Sequence, residues 1–277
     1  MRLQSLLALG FAVKASSLFV LLPLYIYPGP PDTPVWQPLY DAIAAYPTVQ
    51  WQIIVNPNSG PGNNACPGTA NVAADIYYQA AIAKLNGYAN VVTLGYVDVA
   101  YGDIPVATIE ANVDIYASWA ACPGVDVSID GIFFDDFVNQ TSGAVTTAFA
   151  NTISTYAIDK LPSAVTPIVF NPGSVIPAEN QPAAFFTHAS TVVDFENYAS
   201  EYSTPGTMNT LLTTEGAGSL AKSAILIHDA PTTLDPTPWI HAMIANGVQA
   251  AYISQDPSWN AINGTLLNQI AAAITTG

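Results

Sequence analysis

Ile129-Asp130-Gly131-Ile132-Phe133-Phe134-Asp135-Asp136-Phe137 decides how the chain is read: an apolar run of strand length stops at two adjacent carboxylates. Short apolar runs bounded by polar residues are the pattern of strands buried on both faces. Neighbouring ionised Asp side chains repel, and at the edge of an apolar core they also lose hydration. One Asp at that place is ordinary turn or helix-cap chemistry. Two of them closing a buried strand point to function.

The same unit recurs on either side of this stretch. Apolar, β-rich runs end in polar or Pro/Gly turns, and each is followed by an Ala-rich stretch of helical period. Strands are expected at 18–27, 49–56, 91–98, 129–135, 167–171, 191–196, 223–228 and 249–255. Helices are expected at 34–45, 72–85, 105–121, 146–161, 207–220, 238–246 and 262–275, with a Pro-interrupted segment at 177–187. Pro34, Pro105 and Pro238 fall where a first helical turn tolerates proline. Eight β/α units over roughly 250 residues are the signature of one α/β domain, a (β/α)8 TIM-type barrel. A doubly wound open sheet shares the alternation and is the runner-up.

Residues 1–17 read as a secretory signal: Arg2, a short apolar run through Val13, then Ala15-Ser16-Ser17 near a cleavage point. The run is too short to span a bilayer. The expectation is therefore a secreted, extracellular protein, cell-wall associated in one variant of the reading, with 18–277 as its single domain and the monomer as its form.

Beyond residue 17 the cations are Lys84, Lys160 and Lys222, against 20 Asp plus Glu in the chain and no Arg. Nucleic acid and anionic lipid surfaces need cationic partners, so both are excluded, and a neutral or cationic substrate remains. Cys66 and Cys122 suggest a disulfide in a secreted protein, but barrel topology puts them toward opposite ends, and the pairing stays open. Asn139 and Asn263 begin glycosylation sequons.

In a (β/α)8 barrel the strand C-termini converge on one face, where the following loops build the site. Here those ends carry Tyr25 and Tyr27, Asn56, Asp98, Asp135 and Asp136, Asn171, Glu196 with Tyr198, His228, and Asp256 with Trp259. Carboxylates, amides, an imidazole and aromatics without a cation suit glycoside hydrolysis, which uses two carboxyls about 5–9 Å apart. Asp135, Asp136 and Glu196 are the catalytic candidates; the others are candidate sugar contacts. Schiff-base chemistry would need a desolvated lysine, and all three lysines fall on helices or at the opposite end. No Gly-x-Ser-x-Gly is present. Gly216-Ala217-Gly218-Ser219-Leu220-Ala221 precedes a strand, so it is no dinucleotide fingerprint. His188, His228 and His241 lack zinc-ligand spacing, and no metal or other cofactor is expected. A carboxylate site for Mg2+ or Ca2+ is a third possibility.

Several stretches together resemble a known family: Leu22-Pro23-Leu24-Tyr25-Ile26-Tyr27-Pro28, Val55-Asn56-Pro57-Asn58-Ser59-Gly60-Pro61-Gly62, Leu94-Gly95-Tyr96-Val97, Gly131-Ile132-Phe133-Phe134-Asp135, Asn171-Pro172-Gly173 and Phe195-Glu196. In this order they are similar to the spherulin-4-like proteins, spherulation-specific family 4, classed as glycoside hydrolase family 135. The resemblance covers nearly all of 18–277. It implies a secreted (β/α)8 hydrolase of α-1,4-linked N-acetylgalactosamine in galactosaminogalactan, a biofilm exopolysaccharide, and puts the acidic cluster on Asp135, Asp136 and Glu196. Family members commonly have Asp-Glu where this chain has Asp135-Asp136, one methylene shorter, or about 1.5 Å. For such an α-linkage the 2-acetamido group is cis to the leaving oxygen and cannot attack, so an enzyme carboxylate must. The expectation is endo-hydrolysis with retention: Asp135 as nucleophile, Glu196 as general acid/base and Asp136 holding substrate, with Asp136 and Glu196 open to exchange. The competing reading is a non-catalytic wall or spore-coat protein that binds carbohydrate on a barrel scaffold.

Overall fold

The computed structural model describes residues 18–62, 65–68, 74–138, 143–177, 186–216 and 218–277. Eight strands pair in chain order, all parallel, and the eighth closes onto the first. They are β1 Phe19–Leu24, β2 Trp51–Val55, β3 Val91–Asp98, β4 Gly131–Asp135, β5 Ile168–Phe170, β6 Thr191–Tyr198, β7 Ser223–His228 and β8 Ala250–Ile253. The α-helices among the described residues are α1 Gln37–Ala45, α2 Ile76–Asn86, α3 Val106–Ser118, α4 Gly143–Lys160, α5 Gly206–Glu215, α6 Thr237–Ala245 and α7 Gly264–Thr276. This is the closed (β/α)8 barrel; the open sheet is excluded by the β8–β1 pairing.

Helix starts depart from the expected positions where capping decides them. Asp75, in extended backbone, accepts from the amides of Tyr77 and Tyr78, so α2 begins at Ile76. Asn263 accepts from the amide of Leu266 and starts α7, while its amide donates to Gln255 at 2.6 Å. The first turn of α1 holds Pro38 and not Pro34. Helix α5 stops at Gly216, whose φ of 95° leaves the helical region, and a 3-10 turn at Leu220–Lys222 leads into β7.

Cys66 and Cys122 are disulfide-bonded, with Cα atoms 5.3 Å apart. The expected separation to opposite ends is wrong because strand–helix alternation ignores loop length. The β2–α2 connection carries Cys66 to the chain just past α3, where Gln79 of α2 also approaches Cys122. Residues 1–17, the Asn139 sequon and most of the 177–187 segment lie outside the described residues. Among the described residues no helix is long and apolar enough to cross a membrane.

Paired residues of neighbouring parallel strands share a face, and side chains two apart along one strand share it too. The registers Tyr96↔Phe133, Asp98↔Asp135, Phe133↔Val169, Val169↔Thr191, Val193↔Ala224, Leu226↔Tyr252 and Ala250↔Phe19 therefore trace the inner wall. Extended to the strand ends, that wall carries Tyr25, Asn56, Asp98, Asp135, Asn171 and His228. Phe134 and Phe170 face outward; Phe134 packs on Phe170, and Phe170 on Phe137, which meets Phe149 of α4.

Strand β6 breaks the alternation. Its partners on β7 run Val192↔Ser223, Val193↔Ala224, then Phe195↔Ile225 and Glu196↔Leu226, with a bulge between Val193 and Phe195. With Val193 inward, a regular strand would turn Glu196 outward toward the helices. The additional residue, Asp194, shifts the phase by one and returns Glu196 to the inside.

Candidate active site

At the C-terminal mouth of the barrel the ends of β4, β5 and β6 meet around one amide. The Nδ2 of Asn171 donates to Asp135 Oδ1 at 2.6 Å and to Glu196 Oε2 at 2.6 Å. Its Oδ1 accepts from the amide of Gly173 at 2.9 Å, which fixes the orientation of the side chain. The chain then turns at Gly173, where φ is 66°, and Gly173 O accepts from Glu196 N at 2.9 Å. Asn171 is held from behind by Phe134 O and in turn receives the amide of Phe137. The two carboxyls are thus clamped by a side chain whose own backbone is part of the barrel wall.

Each carboxyl has further donors. Trp259 Nε1 donates to Glu196 Oε1 at 3.0 Å, and Tyr96 hydrogen-bonds Asp135 through its hydroxyl. Tyr96 stands edge-on to Tyr25, with ring centroids 5.4 Å apart. Burial, with Asp135 beside them, pushes both tyrosine hydroxyls far above their ordinary value, so both stay neutral donors. Tyr96 owes its place to Gly95: a Cβ there would lie 2.7 Å from the ring of Tyr116, whose hydroxyl donates to the carbonyls of Val55 and Tyr96.

The electrostatics follow from this enclosure. Burial first, and then the charge of Glu196, raise Asp135 to about 7 against the donors Tyr96 and Asn171. Burial likewise raises Glu196, opposed by Asn171, Trp259 and His228. The three lysines are engaged elsewhere. Lys84 sits over the ring of Tyr40, Lys160 pairs with Asp114 at 3.3 Å, and Lys222 donates to the carbonyls of Phe186 and Ala189. No cation neutralises the two carboxyls, and burial favours the protonated form of each.

Asp136 stands apart from this clamp. Its backbone is left-handed, with φ 48°, its carbonyl accepts from Tyr101 N at 2.7 Å, and the Tyr101 hydroxyl hydrogen-bonds its carboxyl. It is partly exposed at the end of β4, and the methylene that the resemblance expects at this position would lie on this outer carboxyl. Left-handed backbone at non-glycine residues is strained. All such residues among those described (Ser59, Ala74, Ala100, Tyr101, Asp136, Asp229 and Trp259) lie in strand-to-helix loops.

The remaining candidates divide. His228 lies in the mouth, edge-on to Tyr198 at 4.4 Å and to Trp259 at 5.6 Å, and its buried Nδ1 has no protein partner. Tyr198 is 50% exposed and forms the rim beside it. Tyr27 is tied to Asp75 at 2.9 Å, away from the carboxyl pair. Asn56, Asp98 and Asp256 each use a side-chain oxygen on their own loop, accepting from the amides of Gly60, Ala100, and both Ser258 and Asn260 respectively. Asp256 therefore braces the turn that presents Trp259. Tyr96 was missed by reading strand ends alone; its position two residues before Asp98, on the same face, was the available signal. Among the described residues no group of three or more His, Cys, Asp or Glu has the geometry to hold a metal ion.

The sequence profile of spherulation-specific family 4 matches residues 19–274. The chain belongs to spherulation-specific family 4. Within it, spherulin-4 of Physarum polycephalum is 30% identical over 190 residues, 68% of this chain but 48% of spherulin-4, so the match spans about half of that relative. Among solved structures, Sph3 of Aspergillus clavatus in complex with GalNAc superposes with a TM-score of 0.73 at 23% identity, over 92% of this chain and 98% of Sph3. The PgaB (BpsB) glycoside hydrolase domain of Bordetella bronchiseptica gives 0.55 at 11% identity, over 85% of this chain and 93% of that domain. A family GH18 chitinase catalytic domain from the fern Peteris ryukyuensis gives 0.55 at 16%, over 93% and 100%. At these identities the likenesses are of fold, and they place this family 4 chain among eight-stranded barrels.

Proposed function

We propose that the protein is a secreted, retaining endo-glycosidase that cleaves α-1,4-linked N-acetylgalactosamine or galactosamine polymers. The observation that carries the reading is the Asn171 bridge between Asp135 and Glu196. Two oxygens bonded to one nitrogen at 2.6 Å cannot stand farther apart than twice that distance, which is on the side of the ~5–5.5 Å spacing of retaining enzymes. An inverting pair needs ~6.5–9.5 Å, with room for a water. The family relationship and the GalNAc bound to Sph3 support the sugar. The net charge of −15 suits a neutral or partly deacetylated, cationic chain. The Cys66–Cys122 disulfide suits an oxidising, extracytoplasmic setting.

In this mechanism Asp135, held by Tyr96 and Asn171, attacks the anomeric carbon, and a glycosyl-Asp135 ester forms. Glu196 donates its proton to the departing glycosidic oxygen, then takes a proton from the water that opens the ester. Asp136 and His228 contact the sugar, and Tyr198 offers a ring face at the rim. No cofactor is used.

The working pair must hold one proton. Its retention near pH 7 by burial gives the profile a definite sign: with the proton on Glu196 and Asp135 ionised in the reacting form, activity is full at mildly acidic pH and falls as pH rises through about 7, where the pair gives up that shared proton. The folded-state affinity exceeds the unfolded one, so stability falls in the same direction between the ordinary Asp value, ~3.9, and about 7. Reducing-end release from an α-1,4-linked N-acetylgalactosamine polymer, followed from pH 4 to 9, tests both statements. Release that is absent at every pH, or that grows above pH 8, contradicts them. Binding of the polymer without release would instead establish the carbohydrate-binding reading.

A further inference from the structure

Behind the mouth, on the outer face of β6, lies a second pair of acids that the mechanism does not use. Asp194 is the bulge residue and is fully buried; Glu215, the last residue of α5, is 9% exposed. Ser223 Oγ donates to Asp194 Oδ2, and Ile176 N donates to Glu215 Oε1 at 2.7 Å. The two carboxyls hydrogen-bond each other. Asp194 Oδ1 and Glu215 Oε2 are buried, and no donor among the described residues reaches either. Two carboxyls can hydrogen-bond each other only through a proton, so one of the two groups is a carboxylic acid.

The surroundings reinforce this. Burial, and for Asp194 the neighbouring Glu215, raise both groups, with Glu215 at about 7. Glu215 ends a helix, where the dipole disfavours an anion. Of the groups on the packed elements, β7 contributes Ser223 and the turn before it Lys222, whose ammonium is directed to the carbonyls of Phe186 and Ala189. The β5–β6 connection contributes the Ile176 amide, and Glu201 lines the groove that Asp194 borders. No cation among the described residues reaches the pair.

The connectivity gives the pair a task. Asp194 is the residue whose insertion turns Glu196 into the mouth, two positions before it. Glu215 grips Ile176, five residues after Asn171, and so fixes the segment that leaves the bridging amide. We propose that Asp194 and Glu215 are positioning residues: one shared proton between them holds the β6 bulge, and the bulge aims Glu196 at Asn171 and Asp135. The assignment rests on the hydrolase reading for its effect on rate, but not for the proton or the geometry.

Glu215→Ala removes the partner and leaves Asp194 buried against Ser223 alone. The expected result is a fall in kcat of about a hundredfold, the scale of a ~1 Å misplacement, with KM changed less than threefold. Glu215→Gln restores a donor to Asp194 without a titrating proton, and kcat is expected within fivefold of wild type. In thermal melts from pH 4 to 9 the wild type loses Tm as pH rises through about 7, and Glu215→Gln loses distinctly less. Retained kcat in Glu215→Ala, equal losses in the Ala and Gln variants, or identical pH slopes would each overturn the proposal. Should the wild type release no sugar, the hydrolase reading fails by itself. The melts still decide on the proton, and a crystal structure of Glu215→Ala decides on the aim: Glu196 turned from Asn171 supports it, Glu196 unmoved overturns it.

Discussion

Glu196→Gln is expected to lower kcat on the α-linked polymer by roughly 10^3-fold, within the ~10^2–10^4 range of a positioned proton donor, while leaving the barrel as stable as wild type or more so. The amide keeps the length of the side chain but offers one acceptor oxygen in place of two, so it holds either Asn171 or Trp259, a loss set against removal of a buried charge, and it has no titratable proton for the leaving oxygen. Stability should not suffer, because Glu196 is a buried acid whose charge raises Asp135. Removing that charge lowers the proton affinity of Asp135 toward ordinary carboxylates. Steady-state kinetics with a melt of the same sample separates the two effects. A variant as active as wild type would remove Glu196 from the chemistry.

Asn171→Ala is expected to cost about 10^2–10^3-fold in kcat, the scale of losing one preorganised donor, and to move the alkaline limb of the pH profile upward. The sign follows from the bridge. Asn171 donates to both Asp135 and Glu196 and so favours their ionised forms, lowering both. Without it, both bind a proton more tightly, and the limb moves above the value near 7 at which the pair gives up its shared proton in the wild type. A merely structural role would reduce stability and leave the limb in place. The two readouts move together only if the amide acts on the carboxyls.

Much of this site was legible because strand order and strand ends alone bring Asp135, Asn171, Glu196 and His228 to one mouth. The apolar runs are short and bounded by turn residues, so their ends were sharp. What alternation could not deliver is the phase of β6. Counted as a regular strand, Thr191–Tyr198 turns Glu196 outward, and the bulge at Asp194 that corrects it depends on contacts with Ser223 and Glu215 far along the chain. Asn56, Asp98 and Asp256 stand at strand ends as expected, yet each engages the amides of its own loop, a competition that short polar side chains commonly win. The Cys66–Cys122 bond escaped for a related reason: a long connection travels, and the pattern of strands and helices does not say where.

The separation within the carboxyl pair also decides stereochemistry, and this gives the most direct test of the account. Proton NMR of the first product released by the wild-type enzyme, recorded before mutarotation, reads the configuration of the new reducing end. Asp135 and Glu196 bridged by one amide predict an initial α-anomer, through a covalent intermediate and two inversions. An initial β-anomer would mean direct attack by water, which a pair this close leaves no room to place, and would contradict the account.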